Sequence, residues 1–144
     1  MVTGRPGPVV LDVPFDRFKE EADVEMPQAQ DWSANISCRC GADPEGVKKA
    51  VDMLLAAERP VIMVGQGVKY GGAAEWMLRL AERLKIPVVC SSSGIGAIDT
   101  SHPLALGLIA RNGTYPANHA ARQADVLLAL GVRFDDRTSS SWLP

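Results

Sequence analysis

From Asp43 onward the apolar residues of this chain alternate between two spacings. Val47, Ala50, Val51, Leu54 and Leu55 recur at steps of three and four, which predicts an amphipathic helix. Asp43 ahead of them is an N-cap, and Pro44 occupies the first helical position. Arg59-Pro60 stops that helix. Residues 61–64, Val-Ile-Met-Val, form an unbroken apolar run of the kind found in a buried parallel strand. Gly65-Gln66-Gly67 reads as the turn after it. A second helix is expected over residues 73–84, with Trp76, Met77, Leu80, Ala81 and Leu84 on one face that reads as core. Residues 86–90 give the next strand, followed by Ser91-Ser92-Ser93-Gly94. Residues 104–109 are a short apolar element whose type the pattern leaves open. Asn112-Gly113 is a turn signal, residues 116–123 an alanine-rich helix and residues 125–130 a last strand. Helices alternating with apolar strands predict an α/β fold, a doubly wound parallel sheet.

The first 42 residues behave differently. Residues 7–14, Gly-Pro-Val-Val-Leu-Asp-Val-Pro, read as a short strand closed by proline. Residues 15–42 keep no period and mix charge, proline and polar groups. That is longer than a compact domain normally gives to one loop, so it reads as an interdomain linker. The expected organisation is a strand of one domain in residues 1–14, a linker in 15–42 and a nucleotide-binding type of domain in 43–144.

Composition removes several function classes. A net charge of -2 over 144 residues argues against nucleic acid as partner. No apolar run approaches the roughly 20 residues that span a bilayer, and residues 1–8 carry no apolar leader segment. Three cysteines, Cys38, Cys40 and Cys90, fit a reducing compartment, hence a cytoplasmic location. Cys38 and Cys40 lack a second ligand pair, so no metal site is expected. Cys90 ends a strand and reads as a small buried hydrophobe.

The chemistry concentrates after the strands. Gly131-Val132-Arg133-Phe134-Asp135-Asp136-Arg137 follows the last one. Guanidinium groups suit phosphates, and carboxylates accept hydrogen bonds from ribose or amide groups. Read alone, the segment is equally a solvated polar loop. Gly65-Gln66-Gly67 permits close backbone approach to a phosphate or flat ring. The spacing to Gly71 and Gly72 breaks the dinucleotide fingerprint, so a simple tight turn fits as well. Ser91, Ser92 and Ser93 add hydroxyls. In a parallel sheet these three loops emerge on one edge, where open α/β sheets bind ligands. A nucleotide-sized ligand there is the physical expectation. No phosphate loop of the Gly-x-x-x-x-Gly-Lys type, no Gly-x-Ser-x-Gly elbow and no acid–base pair at catalytic spacing is present.

These residues also carry a family likeness. Residues 4–14, Gly-Arg-Pro-Gly-Pro-Val-Val-Leu-Asp-Val-Pro, resemble the segment ending the pyrimidine-binding domain of thiamine-diphosphate enzymes. Residues 59–67 resemble the first strand of their central domain. Residues 86–96, then His102-Pro103-Leu104, then residues 131–137, resemble acetolactate synthase, the Arg-Phe-Asp-Asp-Arg run being the most specific. Ser93, Asn112, Phe15 and Thr138-Ser139 depart from that pattern.

The resemblance implies a fragment, incomplete at its C-terminal end, of an enzyme that decarboxylates a 2-oxo acid and passes the two-carbon unit to an acceptor. Thiamine diphosphate and magnesium would be held in other domains, and no catalytic residue is expected here. It implies FAD, in a largely structural role, in this domain. The residues matched to that site are Arg5, Gly65, Gln66, Gly67, Ser91, Ser92, Ala110, Arg111, Asn112, Gly131, Val132, Arg133, Asp135 and Arg137. Within that set, Ala110, Arg111 and Asn112 match a Gly-Met-His segment. Related enzymes keep the domain with ADP, a coenzyme A ligand or nothing. The sister alternatives are a sulfoacetaldehyde acetyltransferase, a glyoxylate carboligase or a cyclic-dione hydrolase. The alternative from another class is a non-catalytic nucleotide-binding module. The implied parent is a homodimer or homotetramer. With the sheet incomplete, the last strand is expected at an open edge.

Overall fold

The computed structural model describes residues 7–26, 28 and 41–139. The chain divides into two compact units, Met1–Ala42 and Asp43–Pro144. In the first, residues 7–14 form no strand, contrary to the expectation from their apolar run. A strand exists through its ladder partner, and the only regular element described there is a 3₁₀ turn at Arg17–Lys19. Cys38 and Cys40 lie outside the described residues, as does Arg5.

The second unit is a four-stranded parallel sheet, β1 (Pro60–Val64), β2 (Val88–Cys90), β3 (Ala105–Leu108) and β4 (Val126–Leu130). Its strand order is β3-β2-β1-β4. The helices are α1 (Pro44–Ala56), α2 (Gln66–Tyr70), α3 (Ala74–Leu84) and α4 (Tyr115–Gln123). The apolar element whose type the pattern left open is therefore a strand. β3 pairs irregularly, with a register shift opposite Val88/Val89 and a left-handed Gly107 at φ 94°. β2 is shorter than its apolar run because Pro87 has no N–H to give to a ladder.

Strand alternation sorts the core onto two faces. Ile62 and Val64 of β1 pack with Leu54, Val68, Met77 and Ala81. Val61 and Met63 point the other way, toward Val89 and Ala117 of α4. α3 and α4 thus lie on opposite faces, as right-handed crossovers running in opposite directions across a sheet require.

Two helix stripes are less buried than their spacing suggests. On α1, Asp43 caps the helix, accepting from the backbone N–H groups of Glu45 and Gly46. Of its apolar face, however, only Leu54 is buried, while Val47, Val51 and Leu55 are exposed. α1 packs against β4, at the margin of the sheet, so one line of side chains reaches the core. On α3, Met77 and Ala81 are buried, but Trp76 is 69% exposed and lies under the Arg79 guanidinium, 5.1 Å from the ring centre. β4 stands at the sheet edge with Leu127 exposed, as expected.

Candidate functional site

The order β3-β2-β1-β4 reverses direction between β1 and β4, the topological switch point where open α/β sheets place ligands. The loops leaving β1, β2 and β4 meet there backbone to backbone. Gly65 N–H donates to Leu130 O at 2.9 Å, Gly67 N–H to Gly131 O at 3.0 Å and Ser91 N–H to Val64 O at 2.9 Å. A Cβ on Gly65 would sit 2.3 Å from Gly131 O, and one on Gly94 2.2 Å from Val64 O. Gly131 is left-handed, φ 58°, and a Cβ there would lie 2.6 Å from Gly67 Cα and Val68 N. Glycine at these positions is thus required by the protein's own backbone. Gly65-Gln66-Gly67, expected as a bare turn, leads into α2: Gly65 caps it, and Gln66 Nε2 donates to Tyr70 Oη at 2.7 Å.

Beside this seam lies a polar cleft of about 320 Å³, lined by Ser92, Leu108, Ile109, Arg111, Asn112, Asp136 and Arg137. The structure therefore gathers Ser92, Arg111, Asn112 and Arg137 from three loops far apart in sequence. Asp136 joins them, whereas Asp135, the aspartate that the family likeness matches to the site, does not. Asp135 turns into its own loop, where its carboxylate accepts from Thr138 N–H at 2.9 Å and its carbonyl accepts from the Ser139 hydroxyl at 2.8 Å. Hydrogen bonds from the Thr138 side chain and backbone hold the Asp135 carboxyl below the usual carboxylate range. Ser91 is buried beneath Ser92, and Ala110 is buried before Arg111 at a left-handed φ of 77°. Val132 packs on the Val61–Met63 face of the core, and Arg133 is exposed.

The cleft offers two guanidinium groups, a hydroxyl, a primary amide and one carboxylate. That donor set suits a phosphate or diphosphate, with Asp136 available to ribose hydroxyls. It lacks a titratable pair suited to proton transfer. His102 is engaged elsewhere: its Nδ1 accepts from Leu104 N–H at 3.2 Å while Nε2 lies 3.3 Å from Glu82 Oε1. His119 stacks on Tyr115 with ring centres 5.6 Å apart. Among the described residues no group of three or more His, Cys, Asp or Glu is placed to hold a metal ion.

A larger cavity of about 520 Å³ lies at the opposite, amino-terminal end of the strands, lined mainly by apolar groups including Leu54, Leu55, Pro60 and Ile86. Arg59 and Lys85 also line it, but the Arg59 guanidinium already donates to the Gln123 carbonyl and the Glu58 carboxylate, and the cavity is remote from the switch point.

Comparison with known proteins agrees with this geometry. Residues 47–144 match the family described as thiamine pyrophosphate enzyme, central domain. A probable acetolactate synthase large subunit of Methanocaldococcus jannaschii is 44% identical over 140 residues, covering 95% of this chain and 24% of the relative. The acetolactate synthase isozyme 3 large subunit of Escherichia coli is 39% identical over 144 residues, covering 96% and 24% respectively. The isozyme 2 large subunit of the same organism is 34% identical over 137 residues. The chain spans about a quarter of the length of the curated relatives it matches. The matched region is the sheet and its carboxyl-edge loops, and on that basis this chain belongs to the thiamine pyrophosphate enzymes, with residues 47–144 as their central domain.

Proposed function

We propose that this chain serves as the nucleotide-holding central domain of an acetolactate synthase-type enzyme, one that decarboxylates a 2-oxo acid and transfers the two-carbon unit to an acceptor. The observation that carries the nucleotide part is the cleft beside the switch point, where Arg111 and Arg137 line one space with Ser92, Asn112 and Asp136. About 320 Å³ lies at the small end of ligand pockets. It matches the diphosphate and ribose portion of FAD, or ADP, rather than a whole dinucleotide. Arg111 and Arg137 would hold the diphosphate, and Ser92, Asn112 and Asp136 the ribose or remaining phosphate oxygens.

Bound FAD would supply a flavin ring in a structural role. Thiamine diphosphate, the electron sink for a carbanion formed from the 2-oxo acid, with its magnesium, is assigned to parts of the enzyme other than these residues. Under this reading the chain works in a cytoplasmic homodimer or homotetramer. Sequence identity of 34–44% to acetolactate synthase large subunits favours that parent over the sister activities.

Titration of the chain with FAD and with ADP, followed by flavin fluorescence and calorimetry, tests the cleft. Saturable binding of either is expected, and Arg137→Ala weakens it by about tenfold, the loss of one charge-assisted contact. No saturable binding of either compound at millimolar concentration sinks the nucleotide reading. Equal affinity for ADP and FAD retains it and removes the flavin.

A further inference from the structure

We propose that Asn118, on α4 and outside the cleft lining, is the positioning residue that aims Arg111 and Asn112 into the cleft. The inference rests on the nucleotide reading of that cleft and adds the device that shapes it. Ala110 immediately precedes the two cleft residues and has a φ of 77°, a backbone region that a Cβ disfavours. It is also buried, at 6% exposure. Both of its main-chain polar groups are taken by one side chain. Ala110 N–H donates to Asn118 Oδ1 at 2.7 Å, and Asn118 Nδ2 donates to Ala110 O at 3.0 Å. A primary amide is the side chain that offers an acceptor and a donor side by side at this reach.

The clamp has a firm base. Ala117, next to Asn118, is fully buried against β1 and β2. Thr114, the N-cap of α4, donates its hydroxyl to Leu106 O at 2.6 Å and its N–H to Leu108 O at 2.8 Å. α4 therefore grips the chain on both sides of Ile109. Gly113 N–H closes the turn onto Ala110 O at 2.8 Å. With φ at residue 110 held left-handed, the following residues reverse toward Ser92 and Arg137. With an ordinary negative φ they leave in another direction, and the Arg111 guanidinium leaves the cleft with them.

The test uses the intact chain, ADP as probe, and three variants: Asn118→Ala, Ala110→Gly and the double variant. Affinity is read by calorimetry. The backbone at residue 110 is read by NMR, since a strong intraresidue amide-to-Hα Overhauser effect marks a positive φ. In Asn118→Ala that signal is expected to vanish and ADP affinity to fall about tenfold, the equivalent of about 1.4 kcal/mol. Ala110→Gly alone sets the reference affinity for a glycine backbone at residue 110. The double variant recovers to within about threefold of the parent, because glycine reaches the left-handed region unaided. A merely structural loss in α4 gives no such rescue. Asn118→Ala with the signal and the affinity intact overturns the proposal, as does a double variant no better than Asn118→Ala. If Asn118→Ala does not fold, Asn118→Ser is judged by the same readouts. A parent chain that binds no ADP refutes the nucleotide reading alone, and the Overhauser signal in Asn118→Ala then decides the positioning role.

Discussion

Replacing Gly131 by alanine tests the contact that joins β1 to β4. Two costs fall on the one added methyl. The left-handed φ of 58° costs an L-residue about 1–2 kcal/mol. The methyl would also stand 2.6 Å from Gly67 Cα and Val68 N. Both are main-chain atoms, so relief requires moving a whole loop, an overpacking cost of about 1–3 kcal/mol. Lower unfolded-state entropy returns about 0.4–1 kcal/mol. The net loss is about 2–4 kcal/mol. Two companion variants separate the parts. Gly72→Ala has φ 63° with nothing within 4 Å, so it carries backbone strain alone. Gly65→Ala has an ordinary φ of -118° but a methyl 2.3 Å from Gly131 O, so it carries the contact alone. Urea unfolding followed by circular dichroism reads all three, with the m-value checked for two-state behaviour. The expected order of stability is Gly72→Ala above Gly65→Ala above Gly131→Ala, with about 1–3 kcal/mol between the first and last. Gly131→Ala no less stable than Gly72→Ala would refute the account of the seam.

Two further outcomes follow from titrating groups. Asp125 accepts backbone N–H bonds from Glu58 at 2.7 Å and Arg59 at 2.9 Å, which hold its carboxyl below the usual range. Its contribution to stability is therefore present above the unfolded carboxyl pKa and is lost as pH falls through the lower folded value. Asp125→Asn should lower the melting temperature at neutral pH and converge with the parent in acid, and a difference that grows in acid would contradict this. Burial pushes the Cys90 thiol up, opposed in part by the Lys69 charge, so it stays protonated at neutral pH. Mass mapping after iodoacetamide at pH 7.5 should find Cys90 unlabelled in the folded chain and labelled in urea, and rapid labelling in the folded chain would refute its burial.

The sheet was legible because its signal is local. Residues 61–64, 86–90 and 125–130 are largely apolar runs bounded by Gly, Pro or polar residues, and each coincides with an observed strand to within two residues. Ser92 and Arg137 were legible for the same reason, since both follow apolar runs, whereas Arg111 and Asn112 entered only through the family likeness; all four line one cleft. Other features depend on partners far along the chain. The spacing of Val47, Val51 and Leu55 marks a helix face but not what covers it, and α1 sits where the sheet gives it one line of contact. Gly65 and Gly67 read as a turn from sequence, and nothing local reveals that Gly131 lies where a Cβ on either would stand. Asp135 and Asp136 are indistinguishable by type, and the Thr138 bonds that turn Asp135 inward appear only in three dimensions. No local signal marks Asn118 within its alanine-rich helix, because its partner, Ala110, carries no polar side chain.

The glycine seam has a consequence for how a ligand preference can change in such a protein. Where Gly65, Gly67, Gly94 and Gly131 meet backbone at distances that admit no Cβ, mutation has no vocabulary. The floor beside the cleft is invariant under almost any viable substitution, as a keyhole's back plate is indifferent to the wards. Under the nucleotide reading proposed for the cleft, discrimination between one nucleotide and another falls to the side chains at 92, 111, 112, 136 and 137, which stand beside that fixed support. A cleft arranged this way can change what it holds through a few surface substitutions while its sheet and loop geometry stay fixed.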